Sequence, residues 1–391
     1  MIAVEEAVAR IVAALKPLES ERIPLESAAG RVLAADAHAK ADQPPFAVSV
    51  MDGYAVRSAD RGARRVIGSA PAGHPFAGAL GPGDAVRLFT GSVVPDGADA
   101  VLAQEVARRD GDHVHFTEIP SPGKFIRPRG LDFQAGSLLV AQGRCLTPRD
   151  LALLAAGDLP EVSVRRKPVI AFAATGDELS RPGQPRKPGG IVASSVYGLD
   201  SMIRQWGCAP KDLGILPDRP EAIAALAKVE CDLLVTMGGA SVGEHDLVQA
   251  ALGPQGFALD FWKIAMRPGK PLIFGHLGAT PLLGLPGNPV SSMVCALLFL
   301  RPAVSAMLGL SSRTLPLRKA RLRGSLAAND GRQDYLRAAC EERDGDLWAR
   351  PFVAQDSSML KIFAQADALI VRRPHAPLLE EGAAVEILPL E

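Results

Sequence analysis

Between Pro168 and Pro302 the chain alternates short apolar runs with amphipathic stretches, and this alternation leaves few folds open. Val169 to Ala173 is a continuous apolar run of the kind a strand buried on both faces requires. Val196, Leu199, Ile203 and Trp206 then fall on one helical face, which Gly207 ends. Further strands are read at Leu213–Leu216, Leu233–Thr236, 272–274 and 282–285, with helices following Asp218, Asp246 and Asn288. Asp218 is expected to be an N-cap, with Glu221 three positions on, and Asn288 to cap the last helix, which Pro302 should kink. Alternating strand and helix imply a doubly wound, mostly parallel sheet.

The flanks follow other rules. At the start Val4, Val8, Ile11 and Leu15 mark one face of a helix stopped at Pro17. Short strands follow, such as Ala85–Phe89 and His113–Phe116, between Gly/Pro-rich turns, and a second helical piece lies near Pro148–Ala156. Beyond about residue 312, Tyr335–Glu342 and Leu347–Phe352 flank an Asp–Gly–Asp turn and read as a hairpin in a small β-barrel or sandwich. The chain therefore divides into a discontinuous helical linker domain (1–42 and 143–167), a β-rich lobe (43–142), an α/β domain (168–312) and a C-terminal β domain (313–391). A length of 391 residues suits such a division, at roughly 100–200 residues per domain.

Composition excludes several classes. Lys plus Arg and Asp plus Glu each number 43, so no sequence-wide charge favours nucleic acid or an anionic membrane. The longest purely apolar run, Met293–Leu300, falls far short of the roughly 20 residues of a membrane span. Glu5 and Glu6 stand where a secretory signal carries positive charge. The five cysteines are scattered without a CxxC, which disfavours a zinc site and a disulfide framework and fits reduced thiols in the cytoplasm.

Chemistry is expected where loops leave the carboxyl ends of the strands. Three such loops are unusual: ATGDEL (174–179), MGGASVGEHD (237–246) and LPGNPVS (285–291). Glycines such as Gly238 and Gly239 let backbone N–H groups approach an anion, Ser241 adds a hydroxyl, and Pro286 and Pro289 lead into a helix N-terminus that favours negative charge. Any one such turn also has a plain packing explanation, but three in one sheet point to a phosphate-bearing ligand. GGASVG lacks the GxGxxG spacing of a dinucleotide site. Asp177, Glu178, Glu244 and Asp246 lie on the same loops. A carboxylate about 4 Å from a phosphate oxygen is repelled by about 4 kcal/mol at an effective dielectric near 20. A divalent cation between them, Mg²⁺ for an all-oxygen site, removes that conflict, although Asp177 and Asp246 could instead be helix caps. WKIAMRPGKP (262–271) gathers Lys263, Arg267 and Lys270 around a Pro–Gly turn and reads as an anion clamp. In the first region Asp52–Gly53, Thr90–Gly91 and FIRPRGLD, with Arg127, Arg129 and Asp132, are suspicious loops that also read as hairpin turns. His113 and His115 alternate on a short strand and are assigned to a solvent face rather than to a metal.

Taken in order, MDGYAV (51–56), FTGSVVPDGADAV (89–101), RPRG with Asp132, TGDEL (175–179), GGASVGEHD (238–246), RPGKP (267–271) and LPGNPVS (285–291) resemble the motifs of the MoeA family. These are molybdopterin molybdenumtransferases, similar to the E domain of gephyrin. The resemblance implies a homodimer with shared active sites and a central MogA-like α/β molybdopterin-binding domain. It also implies Mg²⁺-dependent hydrolysis of adenylylated molybdopterin, with molybdate inserted and AMP released. A MogA-type adenylyltransferase is the implied partner, and neither nucleic acid nor membrane is. By position the resemblance singles out Asp52, Thr90 and Asp132 in the lobe, Glu178, Asp218, Asp246, Lys263 and Arg267 in the α/β domain, and Arg337 and Ser357 in the C-terminal domain. Asp52, Thr90, Glu178 and Asp246 are the expected catalytic set, with Glu178 and Asp246 toward Mg²⁺. The competing reading is a non-catalytic dimeric scaffold or cofactor carrier of the same fold. The chain departs from the family pattern at several positions: Arg267 stands where Lys is frequent, Leu131 where Glu is common, Ala47 and Val48 where Asp and Asn are usual. Ser194–Ser195 and Asp356–Ser357–Ser358 also differ from the usual residues.

Overall fold

The structure, a computed structural model, describes residues 1–239, 247–310 and 316–390. The chain forms two compact units, Arg22–Val164 and a larger one of Met1–Glu21 with Arg165–Glu391.

In the larger unit a six-stranded sheet runs in the order Ala209–Leu216, Val169–Thr175, Leu233–Met237, Thr280–Leu285, Ile273–Leu277, Phe257–Trp262. The first four strands are mutually parallel, and Ile273–Leu277 runs antiparallel to both its neighbours, Thr280–Leu285 and Phe257–Trp262. Leu233–Met237 is buried along its whole length, as expected of a central strand covered by helices on both faces. The two runs expected at 272–274 and 282–285 form one hairpin, which is why the sheet ends antiparallel.

The helices correct two expectations. Ser194–Gln205 buries Val196, Leu199 and Ile203 as its spacing predicts. The helix after Asp218, however, starts at Pro220 with Arg219 in the cap position and no side-chain cap. Proline at the first helical position presets φ, so Asp218 stays in the loop before it and is not the N-cap. Asn288 does occupy the cap position before Pro289, but its side chain makes no cap hydrogen bond. From Pro289 the helix continues to Met307, with a wider π turn over Ala296–Leu300. Pro302 has no N–H for the carbonyl four residues earlier, and the wider turn accommodates that lost donor. By length and composition this helix could cross a membrane, yet 89% of its most apolar window is buried, which makes it a core helix. The N-terminal helix, Val4–Ala13, ends before Leu15, buries Val4, Ala7 and Ile11, and packs on Arg301–Met307.

The C-terminal segment closes into a five-stranded barrel of Arg318–Leu322, Gln333–Arg343, Asp346–Pro351, Ala368–Arg372 and Ala384–Pro389. Closure follows because Gln333–Arg343 pairs with both Asp346–Pro351 and Ala368–Arg372. Leu322, Ala338, Ala349, Ile370 and Ile387 fill its interior. A two-residue strand, Met266–Arg267, leaves the α/β part and pairs in parallel with Gln333–Asp334 of the barrel.

The smaller unit holds a six-stranded sheet around Gly53–Val56, with Tyr54, Val56, Leu102 and Val114 on one side and Ala55, Val86, Leu88 and Val101 on the other. A second core lies around the helix Pro148–Ala156, which Thr147 and Asp150 cap reciprocally.

Candidate functional site

In the smaller unit the Asp–Gly and Thr–Gly loops interlock. Asp52 Oδ1 accepts the Thr90 backbone N–H at 2.7 Å and the Thr90 hydroxyl at 2.8 Å. These two bonds, backbone first, lower the Asp52 pKa below the usual carboxylate range. Ser49 ties the corner together. Its carbonyl accepts Gly91 N–H, its own N–H donates to Ser92 O, and its strand Val48–Ser49 pairs with Ile126–Arg127. Asp52, Thr90 and Arg127 therefore share one corner of this unit. Asp132 is held nearby through its N–H to Gln43 O. Gly53 is a glycine because a Cβ there would lie 2.0 Å from Leu102 O on the neighbouring strand.

In the larger unit a cavity of about 730 Å³ opens at the carboxyl ends of the parallel strands. Glu178, Asp218, Gly238, Gly239, Pro286 and Pro289 all line it, so six of the residues singled out from sequence meet there. Asp218, in the loop before the Arg219 cap, is one of these wall residues. Gly238 has φ +93°, and a Cβ would sit 2.7 Å from Thr175 O, so only glycine lets this turn rest on the end of the first strand. Ser241 and Asp246 lie outside the described residues. Sequence reasoning missed Thr175 and Asn288 as wall residues, and Ser194 and Ser195, noted there only as departures from the family pattern, also line it. Thr175 was visible as the first letter of TGDEL, and its buried hydroxyl has no hydrogen-bond partner.

The cations are arranged differently from a single clamp. Lys263 has φ +65°, and its Nζ sits 3.6 Å over the Trp262 ring. Lys270 accepts Ile264 N–H through its backbone carbonyl, which closes the Pro–Gly turn. Arg267 is bound to Asp334, and this bond, ahead of the opposing effect of burial, raises its pKa. It borders a separate cavity of about 380 Å³ with Asn329, Asp334 and Arg372. Arg337 is 1% exposed, and burial lowers its pKa. Its Nε donates to Gln355 Oε1 at 3.0 Å and its Nη1 to Asp356 O at 2.8 Å. Ser357 meets the last helix: its carbonyl accepts Val290 N–H, and its hydroxyl accepts from Asn288 Nδ2 at 3.0 Å. Neighbouring Ser358 lines the large cavity.

The polar side chains on the cavity wall are two carboxylates, several hydroxyls and one amide. Among the described residues no three His, Cys, Asp or Glu side chains cluster, so Glu178 and Asp218 offer a sparse, hard donor set. Such a set suits Mg²⁺, which takes one or two protein carboxylates and fills the rest of its shell from phosphates and water.

Three family descriptions match the chain in succession: the MoeA N-terminal region (domain I and II) over residues 2–157, a probable molybdopterin binding domain over 171–306, and the MoeA C-terminal region (domain IV) over 319–390. A protein of Nostoc sp. named molybdopterin molybdenumtransferase is 34% identical over 388 residues, covering 95% of this chain and 89% of its own. Its namesake in Haemophilus influenzae is 34% identical over 382 residues, covering 95% and 94%. The crystal structure of a molybdopterin biosynthesis MoeA protein from Pyrococcus horikosii superposes with a TM-score of 0.88 at 30% identity, covering 100% of this chain and 99% of that one.

Proposed function

The chain belongs to the MoeA family and is a molybdopterin molybdenumtransferase, and we propose that it inserts molybdate into adenylylated molybdopterin with Mg²⁺-dependent release of AMP. The observation that carries the finer reading is the cavity at the strand ends, where two carboxylates and two glycine-rich turns face one space. The positive end of the helix that starts at Pro289 would favour phosphate oxygens at the Gly238–Gly239 turn, while the Gly238 and Val290 N–H groups stay bonded to Leu285 O and Ser357 O. Lys270, next to the wall residue Pro271, would offset the charge of phosphate and molybdate, while Lys263, seated over Trp262, is outside the cavity wall. Glu178 and Asp218, together with Asp246, would hold Mg²⁺, which supplies charge neutralisation at the phosphates. Asp52, which already accepts the Thr90 N–H and the single Thr90 hydroxyl proton, would fix the Thr90–Gly91 loop at the substrate rather than donate to it. The curated relatives carry the transferase name, which favours catalysis over a scaffold role. We further propose a homodimer with shared sites, a MogA-type supplier of the adenylylated substrate, and action in the cytoplasm.

The test is direct. The purified chain, incubated with adenylylated molybdopterin, should release AMP only when Mg²⁺ and molybdate are both present. AMP release that persists in EDTA would remove the metal from the reading, and none under full conditions would remove the adenylylated substrate.

A further inference from the structure

We infer that Arg267 is a positioning residue that braces the C-terminal barrel against the α/β part and so sets the barrel's Asp356–Ser358 turn at the large cavity. The inference deepens the proposed function and rests on it only for its turnover readout.

The guanidinium is fully committed on one side. Nε donates to Asp334 Oδ1 at 2.6 Å, and Nη2 donates to Asp334 Oδ2 at 2.8 Å and to Asn329 Oδ1 at 2.9 Å. Asp330 stands 3.4 Å away as a second carboxylate. Two acidic partners leave little net charge for an incoming anion. The side chain also borders the smaller cavity and is absent from the wall of the larger one. What the contact holds is clear from its partners. Asn329 Nδ2 donates to the carbonyls of Arg332, Arg372 and Arg373, and so ties together the approach to one barrel strand and the end of another. Asp334 lies on the strand Gln333–Arg343, to which the Met266–Arg267 backbone itself pairs.

From there the path to the cavity is short. Three residues along, buried Arg337 holds Gln355 and the Asp356 carbonyl. Gln355 returns two hydrogen bonds to the Arg337 and Phe352 carbonyls. The next residues, Ser357 and Ser358, meet the helix N-terminus and the cavity wall. A lysine at this position would have one ammonium group and could not form the two-pronged contact with Asp334.

Arg267→Lys and Asp334→Asn, each in the full chain, separate a brace from an anion clamp. Three quantities are read: hydrogen exchange at 333–338 and 356–360, the Kd for AMP by calorimetry, and turnover at saturating substrate. A positioning brace predicts the same phenotype for both variants. Exchange at both segments should rise about tenfold while Val169–Thr175 and Leu233–Met237 stay protected. The Kd for AMP should stay within about twofold, and kcat should fall about tenfold or more. The double variant should be little worse than either single one, because both remove one contact. Opposite effects on AMP binding, with Asp334→Asn tightening it and Arg267→Lys weakening it, would mean that Arg267 is a clamp and would overturn the inference. Faster exchange with unchanged kcat would overturn it too, since the brace would then position nothing that matters. If the wild type releases no AMP from adenylylated molybdopterin, the functional reading fails, while exchange and AMP affinity still decide between brace and clamp.

Discussion

A buried hydroxyl without a partner costs about 1–3 kcal/mol, and two threonines carry one here: Thr175 and Thr236. Thr236 is wholly buried in a central strand and away from the cavity wall. Thr236→Val keeps the shape and removes the orphan, so the variant should melt higher, by roughly 2–4 °C per kcal/mol regained. A lower melting temperature by calorimetry would show that the hydroxyl has an unseen use. Charge tells the opposite story at Glu178. Its carboxylate lines the cavity, so Glu178→Gln should leave circular dichroism unchanged and cut AMP release about 100-fold or more. Full activity would return Glu178 to a turn residue.

Among the elements, the helix Pro148–Ala156 shows how a cap becomes a pH dependence. Burial alone would raise the Asp150 pKa, but hydrogen bonds from Arg144 and Thr147 outweigh it and bring it to about 2, against 3.8 for a free group. Because the folded value is depressed, its stabilisation is present above about pH 4 and lost as pH falls through about 2. The shift corresponds to about 2 kcal/mol. Asp150→Asn should therefore destabilise the Arg22–Val164 unit at pH 7, and the gap to wild type should narrow between pH 4 and 2 in urea titrations. Gly53→Ala should cost this same unit about 1–3 kcal/mol or more, because the Leu102 carbonyl opposite is backbone and cannot yield. An unshifted midpoint would contradict the strand-to-strand approach. This helix was legible in the sequence to its ends, because Thr147, Pro148 and Asp150 are a local signal. The parallel strands were legible for the same reason. Asp218 was misplaced because a following proline, not the carboxylate, sets that helix start. The commitment of Arg267 was illegible, since Asp334 lies 67 positions away and nothing local announces the pair. Gly238, Gly239, Pro286 and Pro289 were found because turns at strand ends carry a general rule, Asp218 came only from the family resemblance, and Asn288, in the same turn as Pro286, was read as a helix cap instead.

On the scale of the whole molecule, the proposed dimer makes a quantitative prediction. An Asp52→Ala chain and a Glu178→Gln chain should each be nearly inactive. Unfolded, mixed equally and refolded, half the dimers should be heterodimers, and with shared sites about a quarter of all pockets should be intact. Mixed dimers, verified by mass, with no more activity than their parents would refute the sharing. The division of the chain has a consequence for its birth as well. Ile2 bridges to Ile264, and Leu18 N–H donates to Met307 O, so the segment around the first helix belongs with residues made more than 260 positions later. At about 5–20 residues per second, translation of the ~290 intervening residues takes roughly 15–60 s. The Arg22–Val164 unit is one uninterrupted stretch of chain and can fold while still tethered to the ribosome. The helix Val4–Ala13, with one apolar face, leaves the exit tunnel well before its partners at 264 and 301–307, and for that interval it is a nascent segment for a chaperone to shield.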